Sequence, residues 1–375
     1  MYGGAETVIV HLARYLSARG VDVSILTADF ELRPEYKHLN VIVPLAEKQI
    51  HYRIRGEKFS DVVDVFRIVN LLRNYLLKVA NQFDVLNPHN FPATWAVPRG
   101  KPTIWMCNEL PDFWHGISRP LFRKVAGFAY FLDRYFINSR VDVAVVSDQK
   151  NAESFYNRYG RWPRIIHYGI EGEFFSKPPS RSEEYLVRKK YQLRDDSFYV
   201  IHVGMISPSK NQLETLRALW KLKCSVPNIK VIFAGFKQNT QYTSLLNDFI
   251  GQKSLEGDVI FTGHVSKDEL RVLYHISHVL VLPGIGQGSW LSPFEALAAE
   301  KPVIVSPYLT NSSIIDRMGL GIVTSDYAKA ILEVYENYPC YKEKARKGKE
   351  FVLSELSWDR FCEKYLAILN SMALK

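Results

Sequence analysis

The 375-residue sequence predicts an α/β protein of two domains. Three observations carry that expectation. First, Val279 to Ser306 reads VLVLPGIGQGSWLSPFEALAAEKPVIVS: a buried strand, a glycine-rich loop, a short helix and a second strand. That succession is the layout of an anion site in a parallel sheet, because glycines let the backbone approach a ligand and a helix N-terminus offers free N–H groups. Second, the same succession occurs upstream, with a strand from Tyr199 to Val203, a loop from Gly204 to Asn211 and a helix from Gln212 to Leu222. Third, a 47% hydrophobic content is ample for cores, and the length suits two α/β domains better than three.

Charge and cysteine usage narrow the class. Lys and Arg number 48 against 39 Asp and Glu, a net +9 that suits a protein handling phosphates or resting on an anionic membrane. No basic cluster, helix-turn-helix signal or zinc spacing accompanies it, so no nucleic-acid partner is expected. The cysteines, Cys107, Cys224, Cys340 and Cys362, are scattered, which argues for a reducing compartment and against a disulfide framework or metal site. No apolar run approaches a membrane span, and Glu6, His11 and Arg14 are foreign to a signal peptide. A cytoplasmic protein is expected, at most resting on the inner face of the membrane.

In chain order, Met1 to Ala18 opens on Gly3-Gly4 and continues as a helix, with Val8, Ile9, Leu12 and Leu16 at helical spacing. Gly20 ends it, and Val21 to Leu26 alternates as a strand. Residues 31 to 60 show no period. A helix is expected over Asp61 to Asn81, and strands at Val85-Leu86, Thr103 to Met106 and Val141 to Ser147. Between the last two, Phe113 to Ser139 mixes aromatic and basic residues, as an amphipathic helix packed on the first domain would; a membrane-facing or acceptor-holding role is the alternative. Ser176 to Asp196, proline-rich and then charged, reads as the interdomain linker. Strands follow at Val231 to Ala234 and Val259 to Gly263. In the 279–306 stretch Ser292 suits an N-cap, Pro293 the first helical position and Glu295 the carboxylate of a capping box. Ser357-Trp358 begins a last helix.

These residues together resemble the family 4 glycosyltransferases, whose fold sets two Rossmann-like domains face to face across a cleft (the GT-B arrangement). "GGAE" resembles the family's first-domain phosphate loop, Ile165 to Glu171 its "NGID" turn, Gly204 to Asn211 its "VGRL…K" segment, and Val259 to His264 the strand and loop beside the nucleotide base. The 279–306 stretch resembles the paired-glutamate donor site that runs into a "KPV" strand. The resemblance implies an N-terminal acceptor-side domain over 1–178, a nucleotide-sugar domain over 195–355, and a C-terminal helix, 356–375, returning to the first domain. It implies a nucleotide-sugar donor, UDP- or GDP-linked, a glycan or lipid-linked acceptor, peripheral membrane contact, no cofactor, no metal, and transfer with retention.

The site residues implied are Lys210, Glu295 and Gln287 at the chemistry. Gly3, Gly4, Gly204, Asn211, Gly288, Ser289, Trp290, Leu291 and Ser292 would line the donor, and His89, Asn108 and Glu109 the acceptor side. Three positions depart from the family pattern. Gln287 stands where the first glutamate is usual, Met205 where an arginine helps hold the diphosphate, and Asn108-Glu109 where a histidine–aspartate pair is common. A weakened or inactive sugar-nucleotide or glycan-binding protein of the same fold is therefore the competing class, with an epimerase behind it. The family also places a strand before the Gly3-Gly4 loop. This chain starts at the loop, so a central strand of the first sheet is expected to be absent, leaving that sheet less stable than in a chain extended upstream.

Overall fold

The computed structural model describes residues 4–27, 39–42, 59–89, 91–108, 110–111, 120–285 and 291–373. It divides into two compact units, residues 1–168 with 358–375, and residues 169–357.

In the first unit, β1 (Ser24–Leu26) pairs in parallel with β2 (Asn40–Ile42). A second parallel sheet runs β3 (Ile104–Met106), β4 (Val143–Val146), β5 (Arg164–Ile165). The strand expected at Val85-Leu86 is reduced to one parallel bridge, Leu86 to Thr103. The Gly4–Ser17 helix turns Val8, Leu12 and Leu16 onto Ile104, Met106 and Val145, and Phe361 and Tyr365 of the Trp358–Ala373 helix close the same core. The amphipathic segment forms one helix, Pro120–Arg140. Its Ile137 packs beneath β4 with Trp105 and Phe155.

The second unit holds a six-stranded parallel sheet. Its strands are β6 (Phe198–Val203), β7 (Ile229–Ala234), β8 (Val259–Gly263), β9 (Val279–Leu282), β10 (Val303–Val305) and β11 (Ile322–Val323). Their order across the sheet is β11-β10-β9-β6-β7-β8. From β6 the chain steps outward to β8, then returns to the other side of β6 and steps outward again. The reversal falls between β6 and β9, where a doubly wound sheet opens a crevice at its carboxyl edge. The inner strands are apolar almost throughout because helices cover both faces. Val200, Val231, Phe233, Val281 and Ile304 share a core with Leu216 and Leu219 of the Gln212–Leu222 helix.

Residues 181–191, expected within a linker, are helical instead. Ser180 and Glu183 form a reciprocal capping box at that helix, which charged composition alone conceals. The unit boundary falls before it, between Tyr168 and Gly169. Among the described residues no helix is long and apolar enough to cross a membrane.

Candidate functional site

The loops leaving β6 and β9 meet at the reversal. After β6, Gly204 takes a φ of 147°, a value that favours glycine, and the chain runs through a single 3-10 turn, Pro208–Lys210. Asn211 follows in the left-handed region, φ 57°, and its amide donates to the Pro283 carbonyl at 3.2 Å. In return the Ile285 N–H donates to the Ser209 carbonyl at 2.9 Å. Gly284 lies so close that a Cβ there would come within 3.1 Å of Leu309 and 3.4 Å of the Ser209 carbonyl. The two loops are thus stitched together by backbone.

Lys210 sits at the end of this turn with its aliphatic stem against Gly204; a Cβ on Gly204 would stand 3.5 Å from it. Burial pushes the Lys210 ammonium pKa down. An anion beside the ammonium would offset that cost. Behind it, fully buried His202 on β6 binds Thr215 Oγ1 through Nδ1 at 3.0 Å, and its Nε2 has no partner among the described residues. Burial and then the Lys210 charge hold that imidazole down to about 3, so it is neutral. Gly235, at the end of β7, completes the packing, since a Cβ there would lie 2.0 Å from the Gly204 carbonyl oxygen.

Beyond the β9 loop the helix runs Leu291–Ala298. Ser292 and Pro293 therefore fall inside its first turn, and the capping-box reading of Glu295 gives way to another contact. Buried Tyr274, on the Lys267–Ile276 helix, donates its hydroxyl to Glu295 Oε2 at 2.9 Å. Burial pushes the Glu295 carboxyl up to about 7, against the lowering pull of the Tyr274 hydrogen bond and the Lys267 charge. Lys267 is itself ion-paired with Glu171, in the turn that opens the second unit. Tyr274 and Lys267 escaped the sequence reading. Their signal was the Ser266-to-Glu269 capping box, which starts their helix and fixes which residues face inward.

On the first unit, His89 follows the Leu86 bridge and Asn108 follows β3. His89 Nε2 lies 3.2 Å from the Asn87 amide, while its Nδ1 is buried without a partner among the described residues. Burial holds this imidazole down to about 4. Asn87 Oδ1 in turn accepts from the Tyr365 hydroxyl at 2.7 Å. Asn108 Oδ1 accepts from the Tyr168 hydroxyl at 2.8 Å. Met205, at the position of the family's arginine, has its carbonyl bound by the Gln212 amide at 2.9 Å. Gly4 is the first residue of its helix. Gly3, Glu109, Gln287, Gly288, Ser289 and Trp290 lie outside the described residues.

Chemically, the second unit offers a half-buried cation and a half-buried carboxylate on the segments that follow the adjacent strands β6 and β9. A bound phosphate suits the first, and donor hydroxyls the second.

Comparison with known proteins identifies the family and the fold. Residues 2–174 match the family model "Glycosyltransferase Family 4", and residues 185–351 match "Glycosyl transferases group 1". An uncharacterized glycosyltransferase of Methanocaldococcus jannaschii is 22% identical over 96% of this chain and 92% of its own. A lipopolysaccharide 1,2-N-acetylglucosaminetransferase of Salmonella typhimurium is 22% identical over 60% of this chain, and the match spans 61% of that relative. The crystal structure of Anabaena HepE in complex with UDP and glucose superposes with a TM-score of 0.75 at 16% identity, covering 98% of this chain and 96% of that one.

Proposed function

The chain belongs to the family 4 glycosyltransferases, and from that premise we propose that it moves a sugar from a UDP- or GDP-linked donor to a glycan or lipid-linked acceptor. The observation that carries the reading is the stitching of the Lys210 loop to the Pro283–Ile285 loop at the β6/β9 reversal, directly before the helix bearing Glu295. The donor diphosphate lies against Lys210 and the N–H groups that open the Leu291–Ala298 helix. As the acceptor oxygen bonds to the anomeric carbon and the bond to the diphosphate breaks, negative charge collects on the leaving phosphate. Lys210 counters it in a site partly shielded from water.

Glu295 accepts hydrogen bonds from the donor's ribose hydroxyls, held in place by Tyr274. Gln287 hydrogen-bonds the transferred sugar. His89 and Asn108 belong to the acceptor side. Retention and independence from metal follow from the family resemblance, as does an acceptor presented at an anionic membrane surface. The acceptor class has support in relatives named for lipopolysaccharide and for diacylglycerol.

Met205 favours a second reading, a donor-binding protein with weakened turnover. Without the family's arginine, the leaving group meets one positive charge fewer. A panel of UDP- and GDP-sugars, read by thermal shift and then by product release with glycan and lipid acceptors, tests both. Stabilisation by one donor with product formed supports the transferase. Stabilisation without product supports the binder, and no stabilisation by any donor contradicts both.

A further inference from the structure

A hydrogen-bond chain crosses the first unit from the Trp358–Ala373 helix to His89, and the proposed reaction leaves its first two members without a role. The hydroxyl of fully buried Tyr365 donates to Asn87 Oδ1 at 2.7 Å. The Asn87 amide nitrogen lies 3.2 Å from His89 Nε2. The backbone here is fixed as well. The Met106 N–H donates to the Pro88 carbonyl at 3.0 Å, and Trp105 Nε1 donates to the His89 carbonyl at 3.3 Å. His89 therefore stands beside the carboxyl end of β3, the edge at which parallel α/β sheets receive ligands.

The direction of the chain decides which ring nitrogen carries the proton. Burial keeps the His89 imidazole neutral, so it has one N–H and one bare nitrogen. An amide nitrogen only donates. With the Asn87 amide nitrogen facing Nε2, that ring nitrogen is the bare one and the proton sits on Nδ1. In the opposite arrangement the amide is turned over, and its oxygen accepts from an Nε2–H. The amide nitrogen then donates to the Tyr365 oxygen, and the hydroxyl proton of that buried residue has no acceptor among the described residues. A buried donor left unmet destabilises the fold. The first arrangement leaves one unmet polar atom, His89 Nδ1, whereas the second leaves two. A buried N–H held unmet at a ligand-binding edge suits an oxygen of the bound substrate.

We infer that Tyr365 and Asn87 are positioning residues for the transfer: they lock His89 as its Nδ1–H tautomer, so that it offers the acceptor a hydrogen-bond donor and no base. The one bare nitrogen of the ring is taken by Asn87 and cannot receive the acceptor's proton. The inference rests on the acceptor half of the reading above. It adds what that half asks of the acceptor, an oxygen lone pair turned toward Nδ1.

The tautomer is read first, on the full chain without ligand. Nitrogen-15 NMR of the ring, assigned by the signals lost in His89→Asn, should show a protonated Nδ1 and a bare Nε2. In Asn87→Asp the new carboxylate only accepts, so Nε2 should gain a proton. Tyr365→Phe keeps the ring in the core and frees the amide to turn, so both tautomers should appear. A parent with its proton on Nε2, or variants that all keep the parent spectrum, would overturn the relay. Transfer to the glycan and lipid acceptors of the panel reads the consequence. His89→Ala should slow transfer about tenfold, the loss of one hydrogen bond. His89→Asn should recover part of it, since an asparagine amide nitrogen falls near the place of Nδ1. Equal losses of about a hundredfold or more in both would mark His89 as a base and sink the assignment. A chain that forms no product with any acceptor would contradict the transferase reading, while the NMR measurement decides the relay by itself.

Discussion

Replacing Glu295 by glutamine should separate what this carboxylate costs the fold from what it gives the ligand. Burial lifts its pKa to about 7 in the folded chain, against 4.5 for an ordinary glutamate. A carboxyl raised in this way is at ease when protonated. Its contribution to stability is whole below the unfolded pKa and declines as pH climbs toward the folded one. The loss reaches up to about 3 kcal/mol above pH 7, an upper bound for a half-buried group. Glutamine keeps the shape and can still accept from the Tyr274 hydroxyl, but it carries no charge. Glu295→Gln should therefore melt within about 1 kcal/mol of the parent at pH 5 and be more stable by up to about 3 kcal/mol at pH 8. Donor binding should move the other way. Hydrogen bonds from ribose hydroxyls to a charged carboxylate are worth about 1.5–3 kcal/mol, so the variant should bind donor about 10- to 100-fold more weakly. Those hydroxyls favour the ionised form, so the parent's affinity should rise from pH 6 to 8 while the variant's stays flat. Paired melts at both pH values and calorimetric titration with donor decide the matter. A variant that binds donor like its parent across that range would show that Glu295 is structural only, and the reasoning would fail.

Two further outcomes follow from the same geometry. Tyr274→Phe removes the hydrogen bond that lowers the Glu295 pKa, so the pH midpoint of donor binding should move upward; an unmoved midpoint would mean the tyrosine does not govern the carboxylate. Gly235→Ala would force a Cβ to within 2.0 Å of the Gly204 carbonyl, which should cost about 1–3 kcal/mol and loosen donor binding. Gly257→Ala, where the added Cβ meets nothing within 4 Å, is the control, and similar melts for the two variants would refute that account.

The second unit was largely legible in the sequence. Its strands are mostly apolar runs that end near glycine or proline, so β8, β9 and the Gln212–Leu222 helix fall where the pattern puts them. Lys210 and Asn211 were singled out by the resemblance to the family's phosphate-binding segment, and the structure places both at the end of the loop leaving β6. What escaped was tertiary. No local pattern shows that Glu295 abandons its cap for a tyrosine twenty-one residues upstream. Helices such as Gln149–Tyr159 and Arg181–Tyr191 are too polar for periodicity to declare them, and are set by their caps, Asp148 and Ser180. In the first unit Val85-Leu86 is too short to be told from a loop, and it forms a single bridge.

The central claim is that the Lys210 loop at the β6/β9 reversal receives the donor's diphosphate. Calorimetric titration of the parent and Lys210→Ala with UDP and GDP, and with uridine and guanosine, tests it most directly. A charge-assisted contact of about 1.5–3 kcal/mol predicts that the variant loses about 10- to 100-fold in affinity for the preferred diphosphate and keeps its affinity for the matching nucleoside. Equal losses for the diphosphate and its nucleoside, or no loss for either, would show that Lys210 does not meet the phosphates.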